Sequence, residues 1–405
     1  MPFNQIQCVE LTDWTGDTDT PGWRKVESSI ALLTAGADRP SEPIHRQKPL
    51  RKLSICVLPF ANMSGDAEQE YFSDGISEDI ITDLSKVSAL SVIARNTAFT
   101  FKGHAVDVVS IASQLNVSHV LEGSVRKAGG RVRITAQLID AVAGDHLWAE
   151  RYDRDLNDIF ALQDEISKAI VGALRLKLLP DEKRAIEQRG TTNPEAYNLY
   201  LMARQYWVSG NDGDRRRDEL ILRICRRATE IDPNYARAWS LMALVQTELR
   251  FRFGDSHDNG VAAAERALSL DPDLAEAHCV KARYLAEQGR HDEATSEIAT
   301  ALNLDAESWE VNKEAARLLF RNGDIEGAIP FFEKATNLMD SDYHDSGLLA
   351  VCYTALNRSE AAQQWARITV KRAEKALSQD LSNGAALGHG AYAMACLGQA
   401  ERAKE

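Results

Sequence analysis

The chain has 405 residues, of which 44% are apolar, so it is long enough for two or more domains that each bury a core. Its formal net charge of −13 argues against a general attraction to nucleic acid or anionic membrane, since both need clustered Lys and Arg side chains. The chain has no apolar run of about 18 residues, and its start, MPFNQIQCVELTDW, lacks the pattern of a signal peptide. We therefore expect a cytoplasmic protein.

The cysteines are scattered along the chain, at Cys8, Cys56, Cys225, Cys279, Cys352 and Cys396. They form no CxxC pair and have no histidine nearby at metal-ligand spacing. We expect reduced thiols that behave as small apolar side chains, and the sequence indicates no metal site and no cofactor.

Residues 1–50 are predicted to be a poorly structured leader. It contains a segment of turn-forming residues, TGDTDTPG, and later a basic, proline-containing run, RPSEPIHRQKPLRK. One short helix is predicted where apolar residues recur at helical spacing, at Trp23, Val26, Ile30 and Leu33.

From residue 53 the pattern predicts alternating strands and helices. The apolar run over residues 54–60 is typical of a strand buried on both faces. A helix follows whose N-cap we expect at Ser73 or Asp74, with one apolar face formed by Ile76, Ile80, Leu84 and Val87. A second strand over residues 90–95 and a second helix over residues 107–115 complete a βαβα order, which predicts a partly parallel sheet.

The next segment changes to alternating polar and apolar residues. Gly129-Gly130 separates two such runs, and paired glycines suit the positive φ angles of a tight hairpin. A third strand is predicted over residues 146–152. Apolar residues then repeat at helical spacing from Ile159 to Leu176, and we expect Pro180 to end that helix.

Residues 51–180 resemble the TolB-amino-terminal-like α/β domain of bacterial signalling proteins. The resemblance lies in LSICVLPFANMSGDAEQEYFSDGISEDIITDLSKV, in VIARNTAFTFKG and in VLEGSVRKAGGRVRITAQLIDAVAGDHLWAERYDRDLNDIFALQDEI. In such proteins the domain lies between an effector, either a class III adenylate/guanylate cyclase domain or a winged-helix DNA-binding domain, and a tetratricopeptide array. The resemblance implies a non-catalytic regulatory or interaction module.

Small residues return every 34 positions in the second half of the chain. They do so at Ala282, Ala316 and Ala350, and again at Ala294, Ala328 and Ala362. This period predicts helical hairpins that approach closely at the alanines and stack into a solenoid. The segment resembles tetratricopeptide repeats, which implies an all-helical right-handed superhelix over residues 193–405, after a charged hinge over residues 181–192.

The last repeat, from about residue 384, is incomplete at residue 405. An outer apolar face that no further repeat covers predicts fraying or self-association there.

In tetratricopeptide arrays certain positions of the first helix of each repeat face the concave groove. Matching the register places nine candidate partner-binding residues there: Tyr197, Tyr200, Arg204, Trp207, Arg237, Arg283, Lys313, Arg317 and Arg321. Glutamates share this face, at Glu248, Glu276, Glu287 and Glu310. Basic residues outnumber acidic ones on this face, which favours an acidic, partly aromatic or apolar peptide as the partner. The alternative is that these residues form a charged helix face that contacts only solvent.

The sequence shows no convincing catalytic group. The acidic residues between Asp66 and Asp79 suit helix capping and solubility better than a cation site. About 50 residues precede the first strand, which we expect to be too few for a cyclase domain or a winged-helix domain. We therefore expect a regulatory scaffold without a catalytic centre. The alternatives are a nucleotide cyclase or its remnant, and a transcription-regulator arm that works with a DNA-binding partner in trans.

Overall fold

The computed structural model describes residues 53–103, 107–141, 143–187, 190–209, 214–254, 258–339, 341–399 and 401–403. The predicted leader and its short helix lie outside the described residues. All described residues belong to one compact unit.

A mixed sheet forms the first half of this unit. Its described strands are β1 (Leu53–Val57), β2 (Ala61–Asn62), β3 (Leu90–Val92), β4 (His119–Ala128), β5 (Arg131–Asp140) and β6 (His146–Asp155). Their order is β3-β1-β4-β5-β6, with β2 paired to β4. Strand β1 runs parallel to β3 and β4, whereas β4, β5 and β6 form an antiparallel meander. The predicted β4–β5 hairpin turns at Gly129 and Gly130, which have φ angles of +56° and +79°.

Five helices accompany the sheet among the described residues. They are α1 (Glu70–Ser85), α2 (Arg95–Phe99), α3 (Val108–Leu115), α4 (Ile159–Ala173) and α5 (Pro180–Glu187). Helix α1 buries Ile76, Ile80 and Leu84 completely, as its apolar period predicted. Helix α3 begins after Asp107, whose carboxylate accepts a hydrogen bond from the Ser110 N–H.

Two details of the predicted elements are wrong. A short 3₁₀ turn, Ala67–Gln69, whose N-cap is Asp66, leads directly into α1, so Ser73 and Asp74 lie inside the helix rather than at its N-cap. Helix α4 ends at Ala173, well before Pro180, and Pro180 instead opens α5. A proline is tolerated in the first turn of a helix, where its missing N–H would have no intrahelical partner.

Helix α5 occupies most of the segment that was predicted as a hinge. It is packed against the α/β domain: Ile186 is fully buried, and the Glu182 carboxylate accepts hydrogen bonds from the N–H and hydroxyl of Ser88 at 2.8 and 2.7 Å. The Lys86 ammonium also donates to the Ala185 carbonyl at 2.9 Å. These contacts fix residues 180–187 as part of the folded unit.

The second half consists of stacked antiparallel helices. Hairpins are formed by α6 (Pro194–Ser209) with α7 (Arg215–Ile231), α8 (Ala236–Phe253) with α9 (Val261–Leu270), α10 (Ala275–Glu287) with α11 (His291–Leu304), α12 (Trp309–Arg321) with α13 (Ile325–Leu338), and α14 (Tyr343–Ala355) with α15 (Ser359–Gln379). Helix α16 (Gly384–Cys396) follows. The predicted fold class, an α/β domain followed by an all-helical repeat array, is confirmed.

The alanines of the 34-residue period lie where the helices meet. The six alanines that mark this period are each at most 5% exposed: Ala282, Ala316, Ala350, Ala294, Ala328 and Ala362. A larger side chain at such a point would push two helices apart, which explains why the repeat is visible in the sequence. Among the described residues no helix combines the length and the apolar character that crossing a membrane requires.

Candidate functional site

Helix α1 of the α/β domain lies against the first two hairpins of the array. Its Asp79 is almost completely buried and is surrounded by donors from three helices. The carboxylate accepts hydrogen bonds from Gln163 Nε2 at 2.8 Å and Tyr197 Oη at 2.5 Å, and pairs with Arg237 Nη1 at 3.0 Å. Burial, followed by the charge of Asp79, raises the pKa of Tyr197 far above its usual value, so its phenol remains a donor.

The neighbouring acid of α1, Glu78, also faces the array. Arg95 donates to it at 2.7 Å from the α/β side, and Arg204 Nε lies 3.5 Å away on the array side. Burial opposes ionisation of Glu78, but the charges of Arg95, Arg204 and Arg237 outweigh it and lower the pKa of the carboxyl. Two consecutive carboxylates of one helix therefore neutralise cations of the concave face.

Arg204 joins this contact to the fourth hairpin. Its Nη1 lies 2.5 Å from Glu310 Oε1, and Trp207 Nε1 donates to the same oxygen at 3.1 Å. The Ser308 hydroxyl donates to the other oxygen of Glu310 at 3.0 Å. Burial works against the ionised form, yet the charge of Arg204 and the hydrogen bonds from Arg204, the backbone and Trp207 hold the pKa of Glu310 at about 2. The first and fourth hairpins are thus connected across the groove by a buried ion pair.

A second buried centre lies deeper in the array at Glu248. Arg252 Nε lies 2.9 Å from one carboxylate oxygen, while the other is approached by Arg283 at 3.2 Å, Arg317 at 3.2 Å and Lys313 at 3.4 Å. Despite the opposing effect of burial, these four cations keep the pKa of Glu248 far below its usual value. We call Glu248 and these four cations the Glu248 cluster.

Glu314 and aromatic rings complete the surroundings of these cations. Glu314 lies 3.1 Å from Arg317 and 3.5 Å from Arg283. The Lys313 ammonium stands 4.5 Å from the ring centre of Trp309, and the Arg283 guanidinium 4.6 Å from that of Phe251. Such cation–π contacts stabilise a cation that has lost its water.

The structure brings the nine predicted groove residues together, but it does not leave them open. Six of them are buried, Arg204 and Arg237 are partly buried, and Arg321 is exposed. The sequence predicted a mixed surface with a basic lean that is open to a peptide; instead, carboxylates of the same chain already pair with its buried cations. Helix α1 therefore takes the place beside Arg204 and Arg237 that an acidic peptide was predicted to fill.

Not every donor in the groove is satisfied. Arg283 Nε and Nη2 and Arg317 Nε are buried and have no hydrogen-bond acceptor among the described residues. Arg321 lines the same small space as Arg283 and Arg317, with its guanidinium 5.6 Å from the Phe251 ring centre, and it forms no ion pair within the described part of the chain. Burial and the charges of Arg283 and Arg317 lower the pKa of Arg321, which reflects crowding of like charges. We call Phe251, Arg283, Arg317 and Arg321 the basic patch.

Sequence reasoning placed Glu248 and Glu310 on the groove face but missed the acids that α1 brings to it. Asp74, Glu78 and Asp79 were interpreted as capping and solubilising residues, whereas Asp74 pairs with Lys102 at 2.6 Å and the other two bind the array. Their spacing within the apolar helix α1 was a usable signal. Asp79 lies three positions after the buried Ile76 and therefore shares its face of the helix, so its side chain could be expected at a packed interface.

Comparison with known proteins identifies a family that matches the α/β domain and a relative that matches a longer part of the chain. Residues 51–169 match the family model described as the HilA/YgeH-like transcriptional regulator, second domain. A protein of Rhizobium meliloti (strain 1021), provisionally named adenylate cyclase 3, is 44% identical over 282 residues, which are 67% of this chain and 48% of the relative. The chain therefore spans about half the length of the curated relative that it matches.

Solved structures match parts of the chain at low identity. Human IFIT1, as a dimer with m7Gppp-AAAA, is 17% identical over 60% of this chain and 54% of its own, with a TM-score of 0.41. The tetratricopeptide protein TTC0263 of Thermus thermophilus is 16% identical over 50% of this chain and 98% of its own, with a TM-score of 0.36. TolB of Acinetobacter baumannii is 18% identical over 31% and 28% of the two chains, with a TM-score of 0.24.

The resemblance found in the sequence is confirmed, since the family match falls on the α/β half and the stacked hairpins follow it. The chain joins an α/β domain similar to the second domain of HilA/YgeH-like regulators to a tetratricopeptide-type array of helical hairpins.

Proposed function

We propose that this chain is a non-catalytic cytoplasmic scaffold that binds an acidic segment of a protein partner at the basic patch. The observation that carries the proposal is the set of buried N–H groups on Arg283 and Arg317 that have no acceptor within the described part of the chain and share a small space with the exposed Arg321. Leaving such donors without an acceptor costs free energy, so a ligand that accepts from them gains affinity.

The patch suits a carboxylate next to an apolar group. Guanidinium groups bind carboxylates through paired N–H donors, which favours Asp or Glu over a neutral side chain. Phe251 is 48% exposed at the same place and offers its ring to an apolar or aromatic neighbour of that acid. The space between Arg283, Arg317 and Arg321 is small, about 10 Å³, which is room for about one water-sized group, so we expect the acid to bind at its outer edge beside Arg321.

Binding of labelled peptides tests the proposal. The probe is a glutamate-rich peptide with one phenylalanine, and its control is the same peptide with glutamine in place of glutamate. We expect fluorescence anisotropy to show binding of the acidic peptide only. Arg321→Glu should weaken that binding by about tenfold or more, because one attractive charge becomes a repulsive one.

Arg227→Glu is the matched control, because Arg227 is also exposed but lies on α7, the second helix of its hairpin, where it pairs with Glu230 at 3.3 Å. Equal affinity of the two peptides, or equal effects of Arg321→Glu and Arg227→Glu, would argue against the basic patch as the binding site.

A nucleotide cyclase is the second candidate function. It is favoured by the name of the Rhizobium meliloti relative, of which this chain spans about half. Incubating the purified protein with ATP or GTP and Mg²⁺ or Mn²⁺, followed by detection of the cyclic nucleotide, tests it directly.

A transcription-regulator arm is the third candidate, favoured by the name of the family that residues 51–169 match. In that case the acidic segment would belong to a DNA-binding protein, and a complex of the two should bind DNA while this chain alone should not.

A further inference from the structure

A cleft lies where the α/β domain meets the array. Its walls come from α1, from the segment between β3 and α2, and from helices α6, α8, α10 and α12, and its volume is about 410 Å³. We call it the junction cleft. It is separate from the basic patch, because the two share no residue. Clefts between domains are common ligand sites, and this volume suits a small molecule or one or two amino-acid residues.

The cations in the junction cleft are already neutralised. Arg95 pairs with Glu78, Arg204 with Glu310 and Arg237 with Asp79, at 2.7, 2.5 and 3.0 Å. They therefore have little charge left to attract an anion into the cleft.

The acids in the cleft are not all neutralised. Glu276, at the start of α10, is half-buried and has no ion pair among the described residues. Burial and then the nearby charge of Glu310 raise the pKa of Glu276, although Arg204 acts in the opposite direction. Asp273 and Asp305 stand exposed on the same wall. The cleft therefore has an excess of negative charge.

An unused hydrogen-bonding group accompanies this charge. Ser240 of α8 lines the cleft, is only 4% exposed, and its Oγ has no hydrogen-bond partner in the described part of the chain. A buried hydroxyl without a partner is destabilising, and it indicates a site that another molecule completes.

We propose that the junction cleft binds an organic cation with several N–H donors, a guanidinium or ammonium group. Glu276 accepts from the cation and compensates its charge, while the Ser240 hydroxyl accepts a further N–H. Leu241 and Leu244, which also line the cleft, contact the aliphatic part of the ligand. This inference goes beyond the proposed function, since it concerns a second site of opposite charge and does not depend on the basic patch.

Isothermal titration calorimetry with matched ligands tests the proposal and shows whether the cation is a small free molecule or a side chain of a protein. The ligands are agmatine, a blocked Gly-Arg-Gly peptide and the same peptide with citrulline, which keeps the shape of arginine but not its charge. We expect a cationic ligand to bind and the citrulline peptide to bind at least about tenfold more weakly. Binding of agmatine identifies a small free cation, whereas binding of the arginine peptide alone identifies a side chain of a protein.

Glu276→Gln should weaken binding of the cation by about tenfold, and Ser240→Ala by about threefold. Glu276→Gln should also raise the melting temperature, because it removes a partly buried charge that is repelled by Glu310. A loss of binding in this variant therefore cannot be explained by unfolding. Glu293→Gln is the control: Glu293 is exposed on α11, outside the cleft, and should leave binding unchanged.

Failure of both cations to bind, equal binding of the citrulline peptide, or full affinity in Glu276→Gln would overturn the proposal. None of these results bears on Arg321 and the acidic peptide, so the two sites are tested independently.

Discussion

Gly75 of α1 lies so close to Leu201 of α6 that a Cβ atom on residue 75 would come within 2.5 Å of both Cδ atoms of the leucine. A glycine inside a helix usually lowers its stability, so its presence here is explained by this contact. The contact joins the α/β domain to the array, and it fixes how deeply α1 enters the groove.

Gly75→Ala should therefore destabilise the protein by about 1–3 kcal/mol, although alanine is the better helix former. Urea unfolding provides the measurement, and in a Leu201→Ala background the same glycine substitution should cost less, since the atoms that clash are gone. Gly172→Ala is the matched control, because nothing lies within 4 Å of a Cβ placed on that helical glycine. A stabilising effect at both glycines would contradict the close approach.

Asp79 is the polar counterpart of this contact. Asp79→Ala should cost about 3–5 kcal/mol, because it leaves Arg237 without its carboxylate and Tyr197 and Gln163 without their acceptor inside the interface. Asp153→Ala is the comparison: Asp153 pairs with Arg131 and Arg133 on the sheet surface, where solvent screens the pair and the loss should be much smaller. Similar losses in the two variants would indicate that the Asp79 pair is not a strong link.

Contacts of this kind could not be predicted from the sequence, whereas the helices and strands themselves could. The alanine period and the alternation of the hairpin strands are local patterns, so they fixed the elements and the faces that they bury. The pairing of Asp79 with Arg237 joins positions 158 residues apart, and no periodicity records it. Register therefore predicted which cations share the concave face but not which carboxylates neutralise them.

Helix α5 was not predicted, for a different physical reason. Proline ends one helix or opens another, and the sequence around Pro180 fits both interpretations. Helix α5 has only 8 residues, too few to display a clear apolar period. Its position depends on Glu182 accepting hydrogen bonds from Ser88, in a segment far away in sequence.

The Glu248 cluster should govern the stability of the array. Glu248→Ala leaves Arg252, Arg283, Lys313 and Arg317 close together without the carboxylate they share, and we expect a loss of about 3–5 kcal/mol. Thermal unfolding followed by circular dichroism measures it. Glu287→Ala, which breaks only a 3.6 Å pair with the more exposed Arg250, should change stability little.

The buried cations of the Glu248 cluster are unsuitable for testing partner binding in the groove. Charge reversal at the buried Lys313 or Arg317 should unfold the array rather than report on a partner, whereas Arg321 is exposed and can report on binding. A Lys313→Glu variant that keeps the melting temperature of the wild type would contradict this view.

Stability should fall in acid because of Glu310. Its pKa is about 2 in the folded chain, below the usual value of 4.5, so its ionised form stabilises the fold above pH 4.5. That contribution, on the order of 3 kcal/mol, should be lost as the pH falls from about 4.5 to about 2. Glu310→Gln should be less stable at neutral pH and should show a flatter decline over this range. A decline of equal steepness in both proteins would exclude Glu310 as its source.

Helix α16 presents large apolar side chains on its outer face, with Leu387 51% exposed and Tyr392 40% exposed, while Ala386 and Ala393 are buried against the preceding hairpin. In repeat arrays such a face packs against a neighbouring hairpin, so we expect two copies of this chain to associate through α16. Light scattering after size exclusion should show a mass that rises with concentration, and Leu387→Glu should return it to that of a monomer. Val109→Glu places the same charge on a similarly exposed valine of α3 and should leave the association intact. A wild-type chain that stays monomeric at high concentration would rule out self-association through this helix.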